Sequence, residues 1–164
     1  MKDLNEMPGH LARRFQQIAV AVFHASVAEA GHDLTPVQYA ALSTVKMHPG
    51  IDQATLAGLI AYDQTTIGGV VDRLVGKGLI GRRTSGRDRR ARELTITKAG
   101  EAAFVAIEPA VEAAQKTMLQ GLTPAEAETL LALLRKAIDT GNDLSRAPMR
   151  GRGDLMAKAV GGPA

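Results

Sequence analysis

The sequence has no cysteine and no tryptophan in 164 residues, and only two tyrosines and three phenylalanines. Without thiols there is no disulfide framework, no thiolate zinc site and no cysteine redox chemistry. With aromatics at 3%, a base-stacking platform for single strands has no material, and neither does an aromatic-lined sugar or peptide groove. No apolar run approaches the roughly 18 residues that a membrane-spanning helix needs. The opening MKDLNEMPGH contains no apolar stretch of the signal-peptide kind, so a cytoplasmic protein without membrane attachment is expected. His10, His24, His32 and His48 fall at no metal-ligand spacing. Gly76-Lys77 is not a phosphate loop, because Val71 stands where its first glycine belongs. No nucleophile, base and orienting group stand together as a motif. No metal, no cofactor and no enzymatic activity are expected.

What the chain does have is arginine, unevenly placed. The net charge is only +3, yet residues 72–98 hold nine basic side chains against Asp72, Asp88 and Glu93. The rest of the chain is therefore slightly acidic. A local basic patch on such a body suits docking to a polyanion.

The apolar spacing predicts a mainly α-helical fold. Leu11, Phe15, Ile18, Val22, Phe23 and Val27 recur at helical intervals, and Gly31 closes that helix. Residues 1–9 are expected to fray. Thr35-Pro36-Val37-Gln38 is a capping box that opens a second helix, which stops at Pro49-Gly50. Asp52 caps a short helix, and Asp63 caps the next, Gln64 to Lys77, with Ile67, Val70, Val71, Leu74 and Val75 on its apolar stripe. Residues 79–83 and 93–97 read as two strands of a hairpin whose tip carries the arginines. Thr97 caps a long helix in which Pro109 is a candidate kink. Thr123-Pro124-Ala125-Glu126 opens a last helix that ends near Gly141. Residues 143–164, rich in Gly, Pro, Ala and Arg, read as a disordered basic tail, of which residues 145–164 are expected to be dispensable for specific binding.

Helix, short helix, helix and basic hairpin make a winged helix-turn-helix over residues 35–97. The helix from Gln64 would enter the major groove, with Gln64, Thr65 and Thr66 as its base-reading residues. At the tip, Arg90 or Arg87 suits the narrow, negative minor groove, with Arg89 a further DNA-binding residue between them. Arg82, Arg83 and Arg92 would hold phosphates, and Asp88 would orient a neighbouring arginine. Gly68 and Gly69 present no side chain to a base, and two readings of them stay open: readout through their neighbours and DNA shape, or close backbone approach to a phosphate.

Residues 51–100 resemble the winged-helix core of the MarR (multiple-antibiotic-resistance regulator) family. The resemblance is carried by DQATLAGLIAYDQTTIGGVVDRLVGKGLIGRR and DRRARELTITKAG, and it extends over the flanking helices to about residue 142. It places the family's wing arginine on Arg90 with Asp88 as its partner, and puts Arg73 at a backbone-contacting position. It implies a single domain over residues 10–142, paired as a homodimer through helices at 10–31 and 98–141. It also implies repression at a palindromic operator in double-stranded DNA, relieved by a small molecule. YDQTTIGGVVDRL is similar to the branch controlling breakdown of aromatic or phenylpropanoid acids, so an aromatic acid or its CoA thioester is the expected effector. Arg14, Phe15, Phe23, Tyr39 and Met47 are candidates to line its pocket or to belong to the core. The rival readings are an architectural DNA-binding protein without ligand control and a small enzyme with a basic substrate loop.

Arg90→Ala should weaken binding to a specific duplex by about 1–3 kcal/mol, measured by fluorescence anisotropy at moderate salt. Unchanged affinity would remove the wing tip from the interface.

Overall fold

The computed structural model describes residues 3–84 and 92–151. The elements run α1 (Pro8–Glu29), α2 (Pro36–Met47), β1 (Ile51–Asp52), α3 (Gln53–Leu59), α4 (Ile67–Gly76), β2 (Ile80–Thr84), β3 (Arg92–Ile96), α5 (Lys98–Met118) and α6 (Pro124–Gly141). One-turn 3-10 helices at Leu4–Glu6 and Asn142–Leu144 flank them.

Most helix starts are fixed by side chains close in sequence. The Thr35 hydroxyl accepts from the Gln38 amide at 3.2 Å, while Gln38 Oε1 takes the Thr35 N–H at 3.0 Å. Thr123 and Glu126 repeat the arrangement at α6. Asp52 accepts the Thr55 amide at 2.9 Å to open α3. Each such cap contributes about 1 kcal/mol. Gly31, at φ +75°, takes the left-handed position after α1 that a side chain resists.

The core fills the space between α2, α3, α4 and the small sheet. Leu42, Val45, Leu56, Val71, Leu74 and Leu94 are fully buried there. The sheet order is β1-β3-β2, antiparallel throughout. The Leu94 side chain lies at its centre, opposite both Ile51 and Arg82. α1 packs along α5, with Phe23, Val27, Phe104 and Ile107 inside. None of the α6 side chains is fully buried against its own chain; Ala127 and Leu130 are half-buried. None of the helices formed by the described residues is long and apolar enough to cross a membrane.

Several boundaries differ from the sequence reading. The N-terminal segment is ordered earlier than expected: Asp3 accepts the Asn5 amide at 3.0 Å, and α1 begins at Pro8. The sheet gains a third strand, β1, because the turn before α3 lies against β3, with Gly50 N–H donating to the Leu94 carbonyl at 2.9 Å. The hairpin strands are shifted by one residue, to 80–84 and 92–96. α4 starts at Ile67, not Gln64, since Asp63 spends its carboxylate on a turn. α5 continues through Pro109 as one helix. Residues 142–151 are folded onto the body; the expected tail is therefore structured as far as Gly151.

Where α5 begins, the fit is tight. A Cβ on the buried Gly100 would lie 2.1 Å from the Leu79 carbonyl oxygen and 2.8 Å from Ile96 Cγ1. Gly100→Ala should therefore destabilise the fold by about 1–3 kcal/mol or more in urea unfolding. Gly121→Ala, where a Cβ meets nothing within 4 Å, should stay within about 0.5 kcal/mol.

Candidate nucleic-acid interface

The candidate reading head begins with a turn. Asp63 Oδ1 accepts both the Thr65 amide, at 2.7 Å, and the Thr65 hydroxyl, at 2.5 Å. The Asp63 carbonyl takes the Thr66 hydroxyl at 3.2 Å and the Ile67 amide at 3.0 Å. The first α-type bond of α4 therefore springs from Asp63, but its side chain is already used two residues on. These hydrogen bonds, first from the Thr65 hydroxyl, then from its amide, and then from Arg146, hold the Asp63 carboxyl below the usual range. Gln64, Thr65 and Thr66 are all exposed. Because Thr65 donates inward, what it offers outward is a methyl group and an acceptor oxygen. Those suit a thymine methyl or a base N–H donor rather than a phosphate.

Behind the turn, α4 is two-faced: Ile67, Val70, Val71 and Leu74 are buried, and Gly69, Asp72 and Arg73 face out. The glycine pair divides. A Cβ on Gly68 would meet Gln53 Nε2 of α3 at 3.4 Å, whereas Gly69 opens onto free space.

The hairpin is pinned to this helix by charge. Arg82 of β2 is hydrogen-bonded to the Asp72 carboxylate across to α4. Arg83 Nε lies 2.9 Å from Glu93 Oε2 on the neighbouring strand, its directly opposed residue. Both arginines, read from the sequence as phosphate contacts, also meet carboxylates of the same lobe: the Arg82–Asp72 pair sets the wing beside α4, and the Arg83–Glu93 pair joins the two hairpin strands. Arg92 is exposed at the start of β3. Arg87, Asp88, Arg89 and Arg90 lie outside the described residues.

The candidate pocket residues do not all meet. Phe23 and Tyr39 do, with ring centroids 6.0 Å apart, and Tyr39 stacks on Phe104 at 5.5 Å. Lys46 Nζ sits 4.1 Å over the Phe104 ring. Phe104 reads in the sequence only as an apolar position of α5, and neither it nor Lys46 is among the pocket candidates, because only the tertiary packing of α2 on α5 brings them together. Burial, and then Glu108 and Glu112, keep the Tyr39 phenol protonated above its usual range. Phe15, eight residues before Phe23, lies about 12 Å further up α1. Arg14 is exposed there, its guanidinium 3.5 Å from Asn5 Oδ1. Met47 is 64% exposed at the end of α2.

One neighbour of the reading head was not foreseen. The segment after α6 runs back to α3, where the Arg150 N–H donates to the Gly58 carbonyl at 2.9 Å. Arg146 Nη2 reaches Asp63 Oδ2 at 3.1 Å. Composition hides this, since Arg-, Gly- and Pro-rich stretches carry no periodicity.

Residues 34–91 match the sequence profile of the MarR family. The HTH-type transcriptional repressor NicR of Pseudomonas putida is 32% identical over 138 residues, covering 84% of this chain and 86% of NicR. The chain belongs to the MarR family. Among solved structures, Bordetella bronchiseptica BpsR, described with regulation of its DNA binding by 6-hydroxynicotinic acid, superposes with a TM-score of 0.78. It is 30% identical, over 85% of this chain and 98% of that one. The transcriptional repressor CouR, bound to a 23-mer DNA duplex, gives 0.76 at 27% identity, over 84% and 96%. The MarR assignment accounts for the winged helix-turn-helix, and for a mainly helical chain in which helices flank a small antiparallel sheet.

The Asp72–Arg82 pair generates a direct expectation. Asp72→Asn should change unfolding stability by less than about 1 kcal/mol, because Asp72 is largely exposed. It should also free one arginine and steepen the salt dependence of DNA binding by about one unit of slope, read from anisotropy titrations at several salt concentrations.

Proposed function

We propose that this MarR-family chain is a homodimeric transcriptional repressor that acts in the cytoplasm and leaves a palindromic operator when an aromatic acid binds. The observation that carries this reading is the exposed turn Gln64–Thr66 at the head of α4, set beside a hairpin whose arginines are aligned by Asp72 and Glu93. Gln64, Thr65 and Thr66 read bases. Arg73 and Arg92 contact phosphates, Arg82 and Arg83 shape the wing base, and Arg87, Arg89 and Arg90, with Asp88, form the minor-groove tip. NicR's description as a repressor and the CouR–duplex structure support the assignment.

Pairing is argued from α6. Leu131, Leu133, Leu134 and Ile138 are 36–61% exposed in the single chain, as are Leu11 at 47% and Ile18 at 51% on α1. Exposed apolar side chains on both sides of α6 and on α1 call for a second copy to cover them. Two-fold symmetry then sets two recognition helices about 34 Å apart, one turn of DNA.

The effector reading rests on the ring cluster. Phe23, Tyr39 and Phe104 join α1, α2 and α5, where an aromatic ring inserted among them would alter the spacing of the reading lobes. The protonated Tyr39 phenol can donate to a carboxylate, and Lys46 lies close by. BpsR's regulation by 6-hydroxynicotinic acid, a heteroaromatic acid, supports this chemistry. Such a ligand acts only through different affinities for two lobe spacings.

Selection of tightly bound duplexes from a randomised pool should return imperfect palindromes. A panel of aromatic acids and their CoA thioesters should contain a compound that releases the selected duplex. Binding to all duplexes alike would leave an architectural protein, and a panel without a releasing compound would remove the effector assignment.

A further inference from the structure

We propose that Arg146, reaching back from beyond α6, is a positioning residue for operator reading: it acts through Asp63, fixing the Asp63–Thr65 turn and offsetting a carboxylate that would otherwise face the DNA. The inference rests on the reading of Gln64–Thr66 as the DNA-facing turn.

The segment that carries Arg146 is a built element. The Asn142 side chain clamps Met149 from both sides, accepting its N–H at 2.8 Å and donating to its carbonyl at 3.1 Å. Ser145 Oγ accepts the Ala147 N–H at 3.1 Å. The loop is then fastened to the body where the Arg150 N–H meets the carbonyl of Gly58, a buried residue of α3. Arg146 therefore leaves a closed loop anchored at both ends.

At Asp63 the two carboxylate oxygens have separate duties. Oδ1 holds the Thr65 amide and hydroxyl, and Oδ2 meets Arg146. A carboxylate at this position suits the start of a helix but opposes a phosphate backbone lying alongside it. A guanidinium on Oδ2 cancels that charge and stops the carboxylate from rotating away from Thr65. The Arg146 side chain is 90% exposed and Asp63 26% exposed, so the pair adds little to folding stability. Its effect should appear in DNA affinity and in base preference. The contact uses only Nη2, at one oxygen, so a lysine can replace it. The segment is thus required for full operator affinity, contrary to what its composition suggests.

The test uses full-length protein, a duplex selected for tight binding from a randomised pool, and a scrambled duplex of equal length. Arg146→Ala should lower affinity for the selected duplex about three- to tenfold, reduce discrimination against the scrambled one, and leave the unfolding midpoint unchanged. Arg146→Lys should restore most of the affinity. In an Asp63→Asn background, Arg146→Ala should have no further effect, because the charge it offsets is gone. Wild-type affinity in Arg146→Ala would overturn the proposal. So would a full loss persisting in the Asp63→Asn background, since Arg146 would then be touching phosphate directly. If the unaltered protein does not prefer the selected duplex, the underlying reading of the turn fails instead, a result seen before any variant is compared.

Discussion

The carbonyl of Leu79 is where the reading lobe is fastened to the long helix behind it. It accepts the Thr97 N–H at 3.1 Å and the Thr97 hydroxyl at 3.2 Å, and Gly100 lies directly beneath it with no room for a side chain. The same hydroxyl also donates to the Gly78 carbonyl at 2.6 Å and caps α5 by accepting the Gly100 amide at 3.0 Å. The exit of α4, the base of the hairpin and the start of α5 thus share one corner. Any displacement of α5 reaches α4 through peptide groups, with no flexible linker to absorb it.

That corner gives the sparse aromatics their significance. Three of the five aromatic side chains, Phe23, Tyr39 and Phe104, gather at the junction of α1, α2 and α5. Phe104 lies one helical turn beyond Gly100. A change in how these rings pack is therefore adjacent to the fastening that orients α4. Lys77, at the far end of α4, adds a second tie: its ammonium lies 2.7 Å from the Asp33 carbonyl and 2.9 Å from its carboxylate, on the α1–α2 loop.

Much of the fold was legible because its signals are local. The capping boxes at Thr35 and Thr123, the caps at Asp52 and Thr97 and the closing Gly31 all act within four residues, and all appear where the sequence places them. The errors share a different origin. Asp63 looks like the cap of α4, but its carboxylate is taken by Thr65 first. A two-residue strand such as β1 has no period to read. The charges of Arg82 and Arg83 and the opposing acids Asp72 and Glu93 were visible; which arginine meets which acid was not, because that is set only once α4, β2 and β3 are assembled. Arg146 and Asp63 are 83 residues apart, and no local pattern links them.

The lack of any fully buried side chain on α6 has a consequence for the life of the molecule. In the proposed homodimer, a helix whose leucines are only half covered by their own chain is stable in proportion to how often the second copy is met. Dilution then weakens the fold itself as well as operator occupancy. At low concentration, the rate of synthesis would then decide how much of the protein is intact, with unpaired chains left open to proteolysis.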